Sequence, residues 1–270
     1  MSPACFEIML GACLSLAAPV IVGHRGTGPS GPHNPYPENS LPAIRRAFVE
    51  GADLVEIDVR LDACGVPILW HDKDVEINGR KVPVRSVSRQ QMPPLVGATG
   101  LRTCVPTLCQ AVELALQCGC CHKVLIVELK TDDDSCQRRR LVCAVLKVLR
   151  NHDALDRVMV ASADPEAVKM VDRQAPGVTT GFFAQLPGQA WPTVWEMLGP
   201  EPTNIEWILL RQRFGLSAFS QQRLLRRAQD KGIGVAVWTV DRSLVMRYFD
   251  FRGFDMLITN QPDVARETFD

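Results

Sequence analysis

The stretch from residue 51 to residue 72, GADLVEIDVRLDACGVPILWHD, decides the fold. Its two apolar runs, Leu54–Val59 and Val66–Trp70, are rich in Val, Ile and Leu and lack strict polar alternation, which is typical of β-strands covered on both faces. The residues between them, RLDACG, are too few for a helix. We therefore predict a β-hairpin at this point, inside a sheet whose strands are buried.

Strands and helices alternate along the rest of the chain. The other predicted strands are Val20–Gly23, Val124–Leu129, Arg157–Ala161, Val178–Phe183, Ile205–Leu210, Gly234–Val240 and Met256–Thr259. The predicted helices are Leu41–Val49 with Ser40 as N-cap, Thr107–Gln117, Gln137–Arg150, Ser217–Asp230 and Pro262–Thr268. This alternation favours a closed eight-stranded β/α barrel, with an open doubly wound sheet as the second choice. Because nine strands are predicted for eight places, we expect one of them to lie outside the barrel.

The composition excludes several classes of protein. The 270 residues include 30 Lys+Arg and 30 Asp+Glu, so the formal net charge is zero, whereas nucleic-acid binders normally carry a basic surplus. A hydrophobic fraction of 46% is too high for a disordered chain. No apolar run reaches the ~20 residues of a membrane span. The absence of a Pro/Ser linker makes one domain the simplest organisation.

An uncharged apolar run, Ile8–Val22, lies near the N-terminus. It is short for a membrane span and has the length of a signal-peptide core, but only Glu7 precedes it, where a signal peptide carries Lys or Arg. We expect residues 1–19 to be an apolar segment that packs under a barrel domain of residues 20–270, in a cytoplasmic protein. Secretion or membrane association through this segment, with peripheral membrane contact, is the alternative.

The ten cysteines indicate reduced thiols rather than a metal-binding framework. Cys118, Cys120 and Cys121 cluster, but they make no CxxC pair with a matching second pair or a His arm, so we do not expect a zinc site. Cys136 and Cys143 are spaced as core positions on a predicted helix. We expect the thiols to act as small hydrophobic side chains.

Polar side chains collect where the predicted strands end, which is where the function of a parallel β/α fold lies. They are His24 and Arg25 after the first strand, Glu56 and Asp58 on the second, His71 after the hairpin, and Glu128 and Lys130 on the next long strand. The fold therefore predicts that two imidazoles, three carboxylates and two cations face one mouth.

The three carboxylates indicate a metal centre. Glu56 and Asp58 point to the same face because they are two residues apart on a strand. With Glu128 nearby, their like charges would repel, and a divalent cation with oxygen ligands, Mg²⁺ or Ca²⁺, would neutralise them. Salt bridging to Arg60 or Lys130, or solvation at the strand end, is the alternative.

The remaining polar groups suit phosphate chemistry. His24 and His71 could exchange protons with an attacking and a leaving oxygen, although structural histidines are the alternative. Arg25 and Lys130 beside a bound cation call for an anionic ligand, and phosphate fits best. Trp238, on a late strand, either lines the pocket or is a core residue.

The ordered motifs resemble those of the glycerophosphodiester phosphodiesterases. The matching pieces are His24–Gly26, Pro37–Ser40, Gly51–Val59, Gly65–Asp72, Val105–Leu108, Glu128–Lys130, Val237–Val240 and Asp255–Asn260. They cover about residues 20 to 263. The stretch Lys73–Val105 lacks the usual Arg-Thr-Thr run, and the loop between Gly26 and Pro37 is longer than in compact members, so the head-group pocket is expected to differ.

The resemblance implies a distorted (β/α)8 TIM barrel of the phospholipase-C-like phosphodiesterase type and a small-molecule glycerophosphodiester substrate. It implies one divalent cation, Mg²⁺ or Ca²⁺, on Glu56, Asp58 and Glu128, with His24 and His71 as the acid/base pair and Arg25 and Lys130 on the phosphate. The substrate's glycerol hydroxyl would displace an alcohol, and water would then open the cyclic phosphate to glycerol 3-phosphate. A lysophospholipase D and a catalytically silent binding barrel are the alternatives.

Overall fold

The computed structural model describes residues 18–118, 123–132, 134–184, 205–212 and 218–270. Its elements are β1 (Val20–His24), α1 (Leu41–Val49), β2 (Leu54–Leu61), β3 (Pro67–Leu69), β4 (Asp74–Ile77), β5 (Arg80–Pro83), β6 (Leu95–Val96), β7 (Arg102–Thr103), α2 (Leu108–Cys118), β8 (Leu125–Leu129), α3 (Ser135–Asn151), β9 (Val158–Ser162), α4 (Pro165–Gln174), β10 (Thr179–Ala184), β11 (Trp207–Arg211), α5 (Ala218–Gln229), β12 (Gly234–Trp238), α6 (Ser243–Phe251), β13 (Met256–Thr259) and α7 (Pro262–Phe269). Most of the N-terminal apolar run, and the predicted cap Ser217, lie outside the described residues.

Eight parallel strands close into a barrel. They pair in the order β1, β2, β8, β9, β10, β11, β12, β13, and β13 pairs again with β1. The closed barrel, rather than the open sheet, is therefore the observed architecture. No helix in the described ranges is both long and apolar enough to cross a membrane.

The predicted hairpin is confirmed, and it supplies the strand that lies outside the barrel. β3 runs antiparallel to β2, with Val59 opposite Leu69. Beyond this pairing, the Trp70 amide donates to the Asp58 carbonyl over 3.0 Å. The hairpin thereby brings His71, the next residue, to the carboxyl end of β2.

Alternation along the barrel strands separates an inner face from an outer face. Leu54 belongs to an apolar cluster with Val22 and Ile126, one residue from each of three neighbouring strands, whereas Val55 packs in the cluster formed with helices α2 and α3. Continuing that alternation toward the strand ends places Glu56, Asp58 and Glu128 on the inner face. The same geometry that fills the barrel with apolar side chains thus directs the carboxylates into its mouth.

Some local features were predicted and others were not. Ser40 caps α1 as expected, because its Oγ accepts a hydrogen bond from the Ala43 amide over 3.2 Å. Helices α4 and α6 and the ribbons β4–β5 and β6–β7 were not predicted. The core positions expected for Cys136 and Cys143 were wrong, since both side chains are exposed. The buried face of α3 is formed instead by Leu141, Val142, Val145, Leu146 and Leu149.

Candidate active site

Three carboxylates converge at the mouth of the barrel. Glu56, Asp58 and Glu128 are all buried, and one oxygen from each lies within 4.8 Å of the others. β2 and β8 are neighbouring parallel strands, and Asp58 is in register with Glu128. The predicted convergence of these residues on one point is confirmed as geometry.

Two cations lie against this cluster. Lys130 Nζ is 3.0 Å from Asp58 Oδ1 and 2.7 Å from Glu128 Oε1, and Arg25 Nε is 3.3 Å from Asp58 Oδ2. We call these five residues the carboxylate centre. The alternative of a salt bridge to Lys130 is therefore part of the arrangement, yet three carboxylates against two cations still leave one negative charge in excess.

The surroundings of Glu56 suit a divalent cation in addition to Arg25 and Lys130. Its Oε2 accepts the Arg25 amide over 3.0 Å, but its Oε1 is buried without a hydrogen-bond partner in the described part of the chain. Burial, together with Asp58 and Glu128, raises the pKa of Glu56 well above its ordinary value. Burial likewise raises the pKa of Glu128, even against Lys130. A hard divalent cation would pair the orphaned oxygen and keep the carboxyl groups ionised.

Two neighbouring cations hold Asp58 in its ionised form. Burial alone would raise its pKa, but Lys130 and Arg25 outweigh burial and lower the pKa of Asp58 to about 2. Asn39 also holds this residue on two sides: its Nδ2 donates to Asp58 Oδ2 over 2.8 Å, and its Oδ1 accepts the Asp58 amide over 3.0 Å. Sequence reasoning gave Asn39 no role beyond its place in the Pro-Glu-Asn-Ser motif.

The turn after β1 fixes Arg25 over the carboxylates. Arg25 has a left-handed backbone with φ of 52°, and Gly26 follows with φ of 93°. A side chain at Gly26 would place its Cβ 2.6 Å from Ala43 of α1, so the turn packs directly on that helix. Glu38 then binds Arg25 Nη1 over 3.2 Å. The His-Arg-Gly sequence therefore forms a turn whose third position accommodates only glycine.

The tautomer of His24 is set by a chain of hydrogen bonds. Asn260 Nδ2 donates to Asp241 Oδ2 over 2.8 Å, so Asn260 Oδ1 faces His24 Nδ1, at 2.7 Å. His24 therefore carries its proton on Nδ1, and its Nε2 lone pair points toward the centre, 4.0 Å from Glu56 Oε2. Burial, and then the charge of Arg25, lowers the pKa of His24 to about 4, so the ring is neutral, and its Nε2 accepts a hydrogen bond from Arg25 Nε over 3.3 Å.

Asn260 and Asp241 were missed as functional residues. Asn260 was predicted only as the last residue of the Asp255–Asn260 motif, and Asp241 follows β12 without a motif of its own. Asp241 Oδ1 also accepts the Asn260 amide over 2.8 Å and the Thr259 hydroxyl over 3.1 Å. Their position in the barrel order could have indicated a role, because they follow β12 and β13, two neighbouring strands of which β13 pairs with β1.

His71 occupies the more open side of the mouth. Its Nδ1 is 2.8 Å from Asp72 Oδ1, and its side chain is one-third exposed. Its charge contributes to the lowered pKa of Asp58, after Lys130 and Arg25, which places it within electrostatic reach of the centre. His71 is thus partly exposed to solvent and within electrostatic reach of Asp58, unlike the buried His24.

Arg60 ties His71 to Lys130. Its Nε donates to the His71 carbonyl over 3.0 Å, and its Nη1 donates to the Lys130 carbonyl over 3.1 Å. Its ion pair is with Asp132, 3.5 Å away, and not with Glu56 or Asp58 as in the alternative to a metal centre. The guanidinium therefore positions two site residues through their main chains.

Trp238 ends β12 at the mouth and is half-buried. Its indole N–H donates to the Leu209 carbonyl over 3.2 Å, and its ring meets Phe183 edge-to-face at 5.6 Å. Arg211 lies over the ring, 5.6 Å from its centroid. The residue is held as part of an aromatic wall.

A (β/α)8 barrel whose mouth holds buried carboxylates, two cations and two imidazoles defines a barrel enzyme with a centre suited to phosphate esters. The model of the glycerophosphoryl diester phosphodiesterase family matches residues 24–264. This chain belongs to that family.

Individual relatives agree with this assignment. A glycerophosphodiester phosphodiesterase of Caldanaerobacter subterraneus subsp. tengcongensis is 24% identical over 254 residues, which are 90% of this chain and 95% of the relative. Glycerophosphodiester phosphodiesterase 1 of Rattus norvegicus is 27% identical over 263 residues, which cover 85% of this chain and 74% of the relative.

Solved structures share the fold. A glycerophosphodiester phosphodiesterase from Parabacteroides distasonis superposes with a TM-score of 0.74 at 21% identity, covering 94% of this chain and 98% of that one. An Oleispira antarctica phosphodiesterase, in complex with the product sn-glycerol-3-phosphate, gives a TM-score of 0.75 at 20% identity, covering 93% and 96%.

Proposed function

We propose that this protein hydrolyses glycerophosphodiesters to glycerol 3-phosphate and an alcohol. The observation that carries the proposal is the buried convergence of Glu56, Asp58 and Glu128, with one oxygen unpaired and one negative charge in excess. Membership of the family supports it, as does the product held by the structurally similar Oleispira antarctica enzyme. Residues 20–270 would form the catalytic domain, and residues 1–19 a separate apolar segment of a cytoplasmic protein.

The three carboxylates would hold one divalent cation, Mg²⁺ or Ca²⁺. When bound, such an ion neutralises charge on the phosphoryl oxygens and raises the electrophilicity of phosphorus. It would also turn the single negative charge of the carboxylate centre into a single positive charge. A phosphodiester monoanion then enters a site of opposite sign.

Arg25 and Lys130 would bind the phosphate. Both side chains pair with Asp58 at the barrel mouth. From there their N–H groups would also donate to the non-bridging phosphoryl oxygens of a bound substrate. Their hydrogen bonds strengthen as negative charge develops on those oxygens. Trp238 would add an apolar wall for the substrate beside this polar cradle.

His24 would act as the first proton acceptor. Its neutral Nε2 takes the proton of the attacking glycerol hydroxyl, whose oxygen forms a new bond to phosphorus. His71 would give a proton to the oxygen of the departing alcohol as the old ester bond breaks. Asp72, 2.8 Å from His71 Nδ1, supports the protonated ring. The two histidines then exchange roles while water opens the cyclic phosphate to glycerol 3-phosphate.

A substrate panel tests the reaction. The purified protein is given glycerophosphocholine, glycerophosphoethanolamine, glycerophosphoinositol and lysophosphatidylcholine with Mg²⁺ or Ca²⁺, and glycerol 3-phosphate and free alcohol are measured. We expect glycerol 3-phosphate from at least one diester. Turnover of lysophosphatidylcholine alone would assign a lysophospholipase D, and no turnover of any substrate would indicate a silent binding barrel.

A further inference from the structure

The helical layer outside the barrel holds a second cluster of metal-ligating side chains. Cys109 Sγ lies 3.1 Å from His152 Nε2 and 3.5 Å from Glu113 Oε1, and His152 Nε2 lies 3.9 Å from the same Glu113 oxygen. We call these three residues the surface triad. We propose that the surface triad is a binding site for a thiophilic divalent cation such as Zn²⁺.

The distances fit a tetrahedral ion. With Zn–S near 2.3 Å and Zn–N or Zn–O near 2.0–2.1 Å, neighbouring ligand atoms of a tetrahedral site are about 3.3–3.6 Å apart. The Cys109–Glu113 separation of 3.5 Å lies within this range, whereas the Cys109–His152 separation of 3.1 Å is slightly below it and the His152–Glu113 separation of 3.9 Å is slightly above it. The Glu113 side chain is 53% exposed, which leaves it room to rotate and shorten the longest separation.

The backbone holds the triad in place. Cys109 and Glu113 are separated by one turn of α2 and therefore share a face of that helix. His152 is the C-cap residue of α3, and its amide donates to the Val148 carbonyl over 3.2 Å. Since α2 and α3 both pack on the barrel core, two of the ligand positions are preorganised against the third.

The donor set selects a different metal from the one expected at the mouth. Sulfur and imidazole nitrogen suit Zn²⁺ and similar ions, whereas the all-oxygen carboxylate centre suits Mg²⁺ or Ca²⁺. Three protein ligands leave a fourth position for water. Burial, and then Glu113, raises the pKa of the Cys109 thiol, so the ion would displace a proton that leaves to solvent.

Zinc sites are recognised in a sequence by closely spaced cysteines and histidines. Cys109 and His152 are 43 residues apart, and only the packing of α2 beside α3 brings them together. His152 belongs to no sequence motif, and it is half-buried at the end of a helix. The third ligand, Glu113, likewise belongs to no motif.

Cobalt(II) is the probe, since a thiolate–cobalt charge-transfer band reports sulfur ligation and is blind to an all-oxygen site. The full-length, reduced protein is titrated with Co²⁺ and then with Zn²⁺ as competitor. We expect one equivalent of Co²⁺ to produce the band and Zn²⁺ to remove it. Cys109→Ser should abolish the band, and His152→Gln, which keeps the thiol, should weaken Co²⁺ binding at least about tenfold.

Cys104→Ser is the matched control, because Cys104 is a nearby free thiol that is exposed and lies outside the triad. This variant should keep the full band and the same affinity. A band that survives Cys109→Ser, or the absence of any band in the wild-type protein, would overturn the site. Circular dichroism of each variant separates lost ligation from lost folding.

Discussion

The carboxylate centre and the surface triad differ most in burial. This difference explains why the charged groups of the centre interact far more strongly than those of the triad. The centre lies inside the barrel mouth, where desolvation and close charges raise the pKa of Glu56 and lower the pKa of Asp58 to about 2. The triad lies on the outer helical layer, where Glu113 is largely solvated. Charges in a low-dielectric site interact strongly, whereas exposed charges are screened. We therefore expect substitutions at the barrel mouth to change activity far more than those in the surface triad.

His24→Ala is expected to have the largest effect. Removing the proton acceptor should lower kcat by about 10²–10⁴-fold, the usual contribution of a general acid or base. Steady-state hydrolysis of the best diester measures the change, and circular dichroism checks the fold. Turnover close to wild type would remove His24 from the proposed chemistry.

Glu56→Gln separates the metal role of this carboxylate from a purely structural one. The variant keeps the shape but removes the charge, so activity should fall at least about 100-fold. Its melting temperature in EDTA should be equal to or above that of the wild-type protein, because a buried repulsive charge is gone. Glu206→Gln is the matched control: Glu206 precedes β11 at the opposite end of the barrel and should leave activity unchanged. Equal activity of the Glu56 and Glu206 variants would contradict the assignment.

Asn260→Asp tests whether Asn260 acts by positioning His24. A carboxylate 2.7 Å from Nδ1 would stabilise the imidazolium and raise the pKa of His24 from about 4. Since the proton acceptor must be neutral, the acidic limb of the kcat/KM profile should move to higher pH. Asn260→Ala should lower kcat by about 10–100-fold without that displacement. An unchanged pH profile in the Asp variant would leave Asn260 with a structural role only.

Arg60→Met is expected to have the smallest effect on activity among these variants. Loss of the donors to the His71 and Lys130 carbonyls should lower the free energy of unfolding by about 1.5–3 kcal/mol. It should also lower kcat by about tenfold, because the main chains of His71 and Lys130 would no longer be held in place by hydrogen bonds. Arg60→Lys keeps the positive charge but lacks the planar guanidinium that donates to both carbonyls. Its free energy of unfolding should therefore lie between those of the wild-type protein and the Met variant. Urea unfolding beside steady-state kinetics measures both effects, and full activity in the Met variant would exclude the positioning role.

The comparison also shows what a sequence reveals. The three carboxylates were predictable because Glu56-x-Asp58 lies on a strand of known period and Glu128 ends the neighbouring strand in the barrel order. The closed barrel followed from the alternation of strands and helices. The order of the motifs alone indicated the family.

The parts that sequence did not predict depend on contacts between distant segments. Asn260 hydrogen-bonds His24, although the two residues are 236 positions apart in the sequence. No sequence pattern links one to the other. The Cys109–His152 pair depends in the same way on how two helices pack. Cys136 and Cys143 were misplaced because their seven-residue spacing fits either side of a helix equally well, and the Leu and Val residues of α3 decide which side is buried.

The central claim is that Glu56, Asp58 and Glu128 hold one divalent cation on which hydrolysis depends. Its most direct test is turnover of the best glycerophosphodiester after EDTA treatment, followed by titration with Mg²⁺ and, separately, with Ca²⁺. We predict that EDTA abolishes release of glycerol 3-phosphate and that one of the two ions restores it in the wild-type protein but not in Glu56→Gln. Hydrolysis that continues unchanged in EDTA would contradict the claim.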